Sequence, residues 1–294
     1  MNATFAHLSQ RVFNTPLALH PQKAEVAVAA LAQRLGIARV FREDGRAIGA
    51  FDDDEFFERP ARPERRGYDL VAGVAVLQVE GMLVQKTGTL RPYSGMTGYD
   101  GLRTNFLTAL KDPEAHAVVL DLNSGGGEVS GCFDLVDTIH DARGEKPVWG
   151  ICGDHAYSAA YALASACDRV TVPRTGGVGS VGVITMLVDY SQALSDSGLA
   201  VHFVHYGDRK ALEGRQSYQG VKPDLLKRLQ ADVDAMGDLF VRTVARNRGL
   251  TPEAVRATQA DYYLGAAGVE AGLADAVMAP DEAFRALLAE LGEG

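Results

Sequence analysis

The sequence predicts an α/β domain built around a largely parallel, buried sheet. From Gly73 onward, short apolar runs rich in β-branched residues alternate with stretches of helical periodicity. Strands that alternate with helices are joined by crossover connections, which set neighbouring strands parallel and cover both faces of the sheet. The predicted strands are Val74–Val79, Ala117–Leu122, Val148–Cys152, Arg169–Val172, Val183–Val188 and Val201–Tyr206. The predicted helices are Tyr99–Leu110, Val129–Ala142, Ser158–Cys167, Tyr190–Ser197, Pro223–Arg248 and Pro280–Leu291.

The chain before this domain has a different pattern. Residues 1–42 are expected to form an N-terminal helical segment, because apolar residues recur at helical spacing between Gln22 and Leu35 and Gly36 follows. Residues 43–68 are expected to be a linker or exposed arm, since an acidic run and a run rich in proline and arginine both oppose regular packing. The α/β domain is then expected to span residues 69–294.

The composition is that of a globular, mildly acidic chain. Of its 294 residues 47% are hydrophobic and 23% charged, and 29 Lys plus Arg against 38 Asp plus Glu give a net charge of −9. The chain has no sustained basic block, so nucleic acids and anionic membranes are not expected as partners.

The cysteines and the apolar runs indicate the cellular compartment in which the protein is expected. Cys132, Cys152 and Cys167 lie in apolar runs without C-x-x-C spacing, which favours buried thiols in a reducing compartment over a disulfide or a metal site. No stretch approaches the ~18 apolar residues of a membrane span, and the N-terminus lacks the features of a secretory signal. We therefore expect a soluble, cytoplasmic protein.

Two segments after predicted strands have the residues of a catalytic site. The run Asn123–Gly127 lets the backbone turn sharply and present bare N–H groups, so it is either a plain strand-to-helix turn or an anion or oxyanion site. Ser158 stands at a strand-to-helix junction and is followed by small residues that leave its hydroxyl accessible, which suits a nucleophile. In isolation, such a serine is more often a helix N-cap.

Two further segments follow in order along the chain. Gly176–Gly182 is a second glycine-rich loop, and Lys210 comes just after the apolar run that ends at Tyr206. A lone lysine after a strand is ordinarily a solvated surface charge. Only the order and spacing of all four segments give these residues a functional interpretation.

Taken together, these segments resemble the signal peptide peptidase A family of serine peptidases, and most closely the capsid-assembly proteases of lambda-like phages. The resemblance runs from about Gly73 to Val277, and the N-terminal NTPLALHP segment is similar to the leader of the phage enzymes. It implies a ClpP/crotonase-like fold, with Ser158 as nucleophile and Lys210 as general base. It also implies that Ser180 hydrogen-bonds the lysine and that no cofactor is needed.

The resemblance further places an oxyanion-hole glycine at Gly126, and by fold analogy the N–H of Ala159 is the second donor. One departure is visible, since the family commonly has S-P-G-G where this chain has Ser124-Gly125-Gly126-Gly127. Loss of the proline is expected to loosen this turn.

A histidine is the other candidate base, and its placement in the sequence disfavours it. None of the seven histidines lies between residues 156 and 201, where a ClpP-type peptidase would have one. His155 is close to Ser158 in sequence, but we do not expect it to face the hydroxyl. Asp154 and Glu128 either bind the substrate backbone or cap helices, and capping is the simpler interpretation.

The expected function is that of a phage or prophage head-maturation protease that cleaves scaffold, portal or capsid protein and works as a homo-oligomer. A cytoplasmic peptidase similar to signal peptide peptidases is the runner-up, although those enzymes ordinarily carry a membrane anchor. A crotonase-like acyl-CoA enzyme and a non-catalytic scaffold are the alternatives of another class. Neither explains a serine and a lysine at these two positions. The arm Glu43–Arg66 is expected to be a site of self-cleavage.

Overall fold

A mostly parallel sheet forms the centre of the molecule. The computed structural model describes residues 66–207, 209–211 and 216–292, and the backbone of three short segments before them. The main path of the ten-stranded sheet runs, in order, through β11 (Tyr262–Leu264), β10 (Gly177–Gly179), β8 (Val148–Tyr157), β7 (Ala117–Glu128), β5 (Val74–Val84) and β4 (Asp69–Val71). Strands β5, β7, β8 and β10 are mutually parallel neighbours, whereas β4 and β11 pair antiparallel at the two ends of this path.

The strands β4 to β12 are Asp69–Val71, Val74–Val84, Met96–Gly98, Ala117–Glu128, Val148–Tyr157, Arg169–Val172, Gly177–Gly179, Tyr262–Leu264 and Ala276–Val277. The helices, numbered α1 to α9, are Tyr99–Lys111, Cys132–Asp141, Ala159–Ser165, Ser191–Asp196, Gln216–Gln219, Pro223–Arg248, Pro252–Ala257, Gly265–Glu270 and Pro280–Glu290.

Helices cover both faces of the sheet. On one face, fully buried side chains of α1, α2, α3 and α6 pack with those of the central strands, and the Phe133 and Phe240 rings meet edge to face at 5.5 Å. On the other face, Ala283 and Leu287 of α9 pack against Trp149 and its neighbours. This burial of both faces explains why the central strands are continuous apolar runs in the sequence.

The predicted α/β architecture with crossover connections is therefore confirmed. Four of the six predicted strands are present, and three of them run further toward their carboxyl ends than the apolar runs indicated. Val183–Val188 and Val201–Tyr206 were predicted as strands, and that prediction is wrong. Val204 and Tyr206 are fully exposed, whereas Phe203 contacts the Tyr218 ring at 5.8 Å, so the second run is half-buried, and it pairs with no strand of the described chain. A β-branched run forms a strand only where a neighbour pairs with it.

Three short strands precede the domain. β1 (Leu17–Leu19) pairs antiparallel with β7, and β2 (Val40–Phe41) pairs antiparallel with β3 (Ala47–Ile48).

Tyr68 is almost fully buried in the main core, where its hydroxyl donates to Asp112 at 2.7 Å. The helix predicted at Gln22–Leu35 and most of the predicted arm lie outside the described residues.

Candidate active site

Three neighbouring parallel strands bring candidate residues to one end of the sheet. Ser124 of β7 pairs with Ala156 of β8, and Gly179 of β10 pairs with Tyr157. Continuing these registers by one or two residues sets Gly126, Ser158 and Ser180 at the carboxyl ends of adjacent strands. In open α/β sheets this end is where ligands bind.

Ser158 occupies a strained turn between β8 and α3. Its backbone has φ 55° and ψ −120°, a conformation that non-glycine residues rarely adopt. Its N–H donates to the Gly179 carbonyl at 2.8 Å, which ties the turn to β10. A serine held in a sharp strand-to-helix turn is the arrangement of nucleophile elbows.

The hydroxyl of Ser158 does not cap the helix. Although Ser158 stands at the N-cap position, its side chain makes no capping hydrogen bond. Its Oγ lies 3.4 Å from the Gly182 carbonyl oxygen, and the residue is 1% exposed. The structure therefore excludes the capping role that was the alternative interpretation of this serine.

Ala159 is the first residue of α3, so its N–H is one of the donors for which a helix has no intrahelical acceptor. The small residues after it are all buried, which lets the start of the helix pack directly beside the strand ends. The Ala159 N–H therefore lies next to the nucleophile candidate, where a second oxyanion donor is expected.

The glycine run forms the last part of β7 instead of a free turn. Gly126 has φ 102°, which favours glycine. A Cβ at Gly127 would overlap the backbone carbonyl of Leu83 in β5, so no larger residue fits there. These two constraints explain why glycines follow an apolar strand in the sequence.

Ser124 anchors this segment, a role that the sequence analysis missed. Its hydroxyl donates to the Gly81 carbonyl at 2.6 Å and accepts from the Gly126 N–H at 3.1 Å. The first bond connects β7 to β5, and the second lies within β7, next to the position where the S-P-G-G pattern has its proline. The turn is thus held by hydrogen bonds at the place where we expected it to be loose.

Ser180 lies directly after β10 and is also in a strained conformation. Its φ is 57° and it is 6% exposed. Its N–H donates to Asp261 at 2.8 Å, and its carbonyl accepts from Gly182 at 3.0 Å. The loop that contains Ser180 also presents the Gly182 carbonyl, which lies 3.4 Å from Ser158 Oγ.

Lys210 is placed differently from the other candidates. Its side chain is exposed and lines an open pocket together with Gly207, Arg209 and Arg228. Within the described chain, no hydrogen bond joins the amine to Ser158, which is buried. The structure thus brings Gly126, Ser158, Ala159 and Ser180 together but does not bring Lys210 to them.

The neighbouring ionisable groups have other partners. His155 Nδ1 lies 2.8 Å from Asp154 Oδ2, and the imidazole stacks on the Tyr157 ring at 5.0 Å. Burial raises the pKa of Tyr157 to about 12, so its phenol stays neutral. Glu128 accepts from the Gln85 N–H at 2.7 Å. The N-cap positions of the two helices that follow these residues are held by Gly131 and Ser158, not by Glu128 or Asp154.

Neither a metal cluster nor a membrane helix is found in the part of the chain that the structure describes. No group of three or more His, Cys, Asp or Glu side chains there is arranged to hold a metal ion. None of the described helices has both the length and the apolar character needed to cross a membrane.

Comparison with known proteins identifies relatives of the chain. The profile of Peptidase family S49 matches residues 140–292, more than half of the chain. The head-tail preconnector protein GP5 of Enterobacteria phage P21 is 36% identical over 99% of this chain, and the capsid assembly protease C of Escherichia phage lambda is 35% identical over 95%. The chain spans 58% and 64% of the lengths of these two phage proteins. Protease 4 of Haemophilus influenzae is 25% identical over 82% of this chain and 38% of that protein.

Proposed function

The chain belongs to peptidase family S49, and we propose that it is a serine endopeptidase in which Ser158 is the nucleophile and Lys210 the general base. The observation that carries the proposal is the backbone of Ser158, which is strained at φ 55° while its hydroxyl caps nothing. Such strain persists only where the surrounding structure enforces it, and it concentrates at functional sites.

In the proposed reaction, Ser158 Oγ attacks the carbonyl carbon of the scissile peptide while its proton passes to the neutral amine of Lys210. The N–H of Ala159 stabilises the oxyanion of the tetrahedral intermediate, together with the N–H of Gly126, which donates to Ser124 Oγ when no substrate is bound. Collapse of the intermediate breaks the C–N bond, and Lys210 returns the proton to the leaving amine. Water then hydrolyses the acyl-enzyme by the same steps. Ser180 holds the lysine amine in position.

This mechanism requires Lys210 to be covered, because burial is what favours the neutral form of an amine. In the described chain Lys210 is exposed, and the apolar side chains Leu199, Val204 and Tyr206 of the same region are exposed as well. Exposed apolar groups in one region are typical of a surface that a partner covers. We propose that assembly into a homo-oligomer covers this region and brings Lys210 against Ser158.

The proposed biological role is maturation of a phage or prophage head in the host cytoplasm, within the assembling procapsid. The names and the 36% and 35% identities of the two phage relatives support it. The proposed substrates are the scaffold, portal or capsid proteins encoded with this chain.

Co-expression tests this role. The full chain is produced with its neighbouring portal, scaffold and capsid proteins, and the products are mapped by mass spectrometry. Fragments of the head proteins are expected with the wild-type chain, and none of these fragments is expected with Ser158→Ala. Uncleaved head proteins, together with cleavage of released signal peptides, would instead support the role of a cellular signal peptide peptidase.

A further inference from the structure

The segment Leu17–Leu19 lies on the glycine run of the candidate active site. It forms strand β1, in which Leu17 is opposite Glu128, Ala18 opposite Gly127 and Leu19 opposite Gly126. The pairing is antiparallel and covers the last three residues of β7. A segment more than 100 residues away in the sequence thus pairs with the backbone of Gly126–Glu128.

The side of β7 that β1 occupies follows from the other pairings. Gly126 and Gly127 already pair with Met82 and Leu83 of β5 along one edge of β7. A strand has only two edges, so β1 uses the opposite edge, which is the one that β8 occupies earlier along β7. Strand β8 ends at Tyr157, and the chain turns away into α3 at Ser158. β1 therefore lies in the gap that β8 leaves on the side of Ser158.

This gap has the properties of a peptide-binding edge. An exposed strand edge presents unpaired N–H and C=O groups, to which an extended peptide adds as a further strand. The edge at Gly126–Glu128 is held firmly, because the Tyr99 hydroxyl donates to the Glu128 carbonyl at 2.7 Å and Ser124 accepts from Gly126 at 3.1 Å. A rigid edge binds an extended chain at a lower entropic cost.

The sequence limits how far β1 extends. Residues 16 and 21 are both proline, which has no backbone N–H, so between them only positions 17 to 20 can donate. The segment that pairs with this edge is therefore a short strand whose hydrogen bonding is limited at both ends by proline. Such a segment resembles a bound peptide more than it resembles a structural strand of the sheet.

We propose that Leu17–Leu19 is an internal pseudosubstrate, which occupies the substrate-binding edge of β7 and competes with extended peptides for it. The proposal rests on the proposed peptidase function, since it assigns that edge to the substrate. Leu19 is the residue opposite Gly126, the proposed oxyanion donor. An enzyme blocked in this way stays inactive until substrate or assembly displaces the segment.

Peptide binding to the full chain tests the proposal. The protein carries Ser158→Ala so that it does not cleave the probe, a fluorescein-labelled peptide with the sequence of residues 14–21. The test variant adds Leu17→Pro, Ala18→Pro and Leu19→Pro, which removes all three N–H groups of β1. The matched control adds Leu17→Met, Ala18→Ser and Leu19→Met, which retains them.

The test variant is expected to bind the probe about tenfold more tightly than its parent, and the control is expected to bind as weakly as the parent. Hydrogen exchange at residues 126–128 is expected to be faster in the test variant and to slow again when the probe is added. Equal affinity in all three proteins, or no binding by a folded test variant, overturns the proposal.

Two precautions keep the result decisive. If circular dichroism shows that the triple proline variant is unfolded, Leu19→Pro alone replaces it and is compared with Leu19→Met. The binding readout does not depend on catalysis. A failure of the proposed function is therefore detected separately, as wild-type protein that cleaves no substrate and in which Ser158 is not labelled by an active-site reagent.

Discussion

The backbone N–H of Ser158 donates to the carbonyl of Gly179 at 2.8 Å. This bond fastens the strained turn at the end of β8 to the neighbouring strand β10. The same stretch of chain then continues into Ser180 and Gly182, whose carbonyl is 3.4 Å from Ser158 Oγ. One loop therefore both holds the conformation of Ser158 and lies against its hydroxyl.

The strain at Ser158 predicts an unusual order of stability. Ser158→Gly is expected to be more stable than Ser158→Ala by about 1 kcal/mol, because glycine adopts φ 55° without the cost that a Cβ imposes. Both variants are expected to lose peptidase activity. Urea unfolding at equilibrium measures the difference. An alanine variant as stable as the glycine variant would show that the turn is not strained.

Substitution of Lys210 distinguishes its proposed role as general base from that of a solvated surface charge. Lys210→Arg is expected to be as inactive as Lys210→Ala, because a guanidinium stays protonated and cannot accept the serine proton. Lys227→Arg, at an exposed position on α6, is the matched control and is expected to keep wild-type activity. The measurement is the cleavage rate of the co-expressed head proteins. Full activity in Lys210→Arg combined with loss in His155→Ala would transfer the base role to the histidine.

The hydroxyl of Ser124 is expected to matter for both stability and turnover. Ser124→Ala leaves the Gly81 carbonyl and the Gly126 N–H without this partner, which is expected to cost about 1–3 kcal/mol of unfolding free energy. The orientation of Gly126 is lost as well, so kcat is expected to fall more than KM changes. Ser130→Ala, which removes an exposed bond to Gln85, is the control and is expected to change stability by less than about 0.5 kcal/mol.

The ion pair between Arg248 and Asp275 predicts a loss of stability in acid. Desolvation raises the pKa of Asp275, but hydrogen bonds from Arg248 and the Val170 N–H outweigh it, so the pKa lies below its ordinary value. A lowered folded-state pKa stabilises the protein above the unfolded value of about 4, and this contribution is lost as the pH falls through the folded value.

Asp275→Asn is therefore expected to lower stability by about 2 kcal/mol at neutral pH, since Arg248 then keeps its charge without its carboxylate partner. The difference from wild type is expected to shrink as the pH falls below about 4. Thermal unfolding at several pH values measures it. A difference that stays constant down to pH 2 would contradict this assignment.

The sequence predicted the elements that a local pattern determines. The buried strands and the glycines beside Ser158 were recognised because apolar runs and the sharp turns after them depend on nearby residues. The role of Ser124 was missed because its partner Gly81 is 43 residues away in the sequence. The pairing of Leu17–Leu19 with β7 was missed for the same reason. Val201–Tyr206 was predicted as a strand because its composition favours one, whereas pairing depends on a neighbour that the pattern does not reveal.

The most direct test of the central claim is active-site labelling of the full chain with a fluorophosphonate. The reagent is expected to form one covalent adduct, mapped by mass spectrometry to Ser158, and Ser158→Ala is expected to form none. Labelling is expected to be lost in Lys210→Arg and retained in Lys227→Arg, because only the first removes the base that activates the hydroxyl. Absence of the adduct from folded, assembled wild-type protein, or its appearance on another residue, would contradict the assignment of Ser158 as the nucleophile.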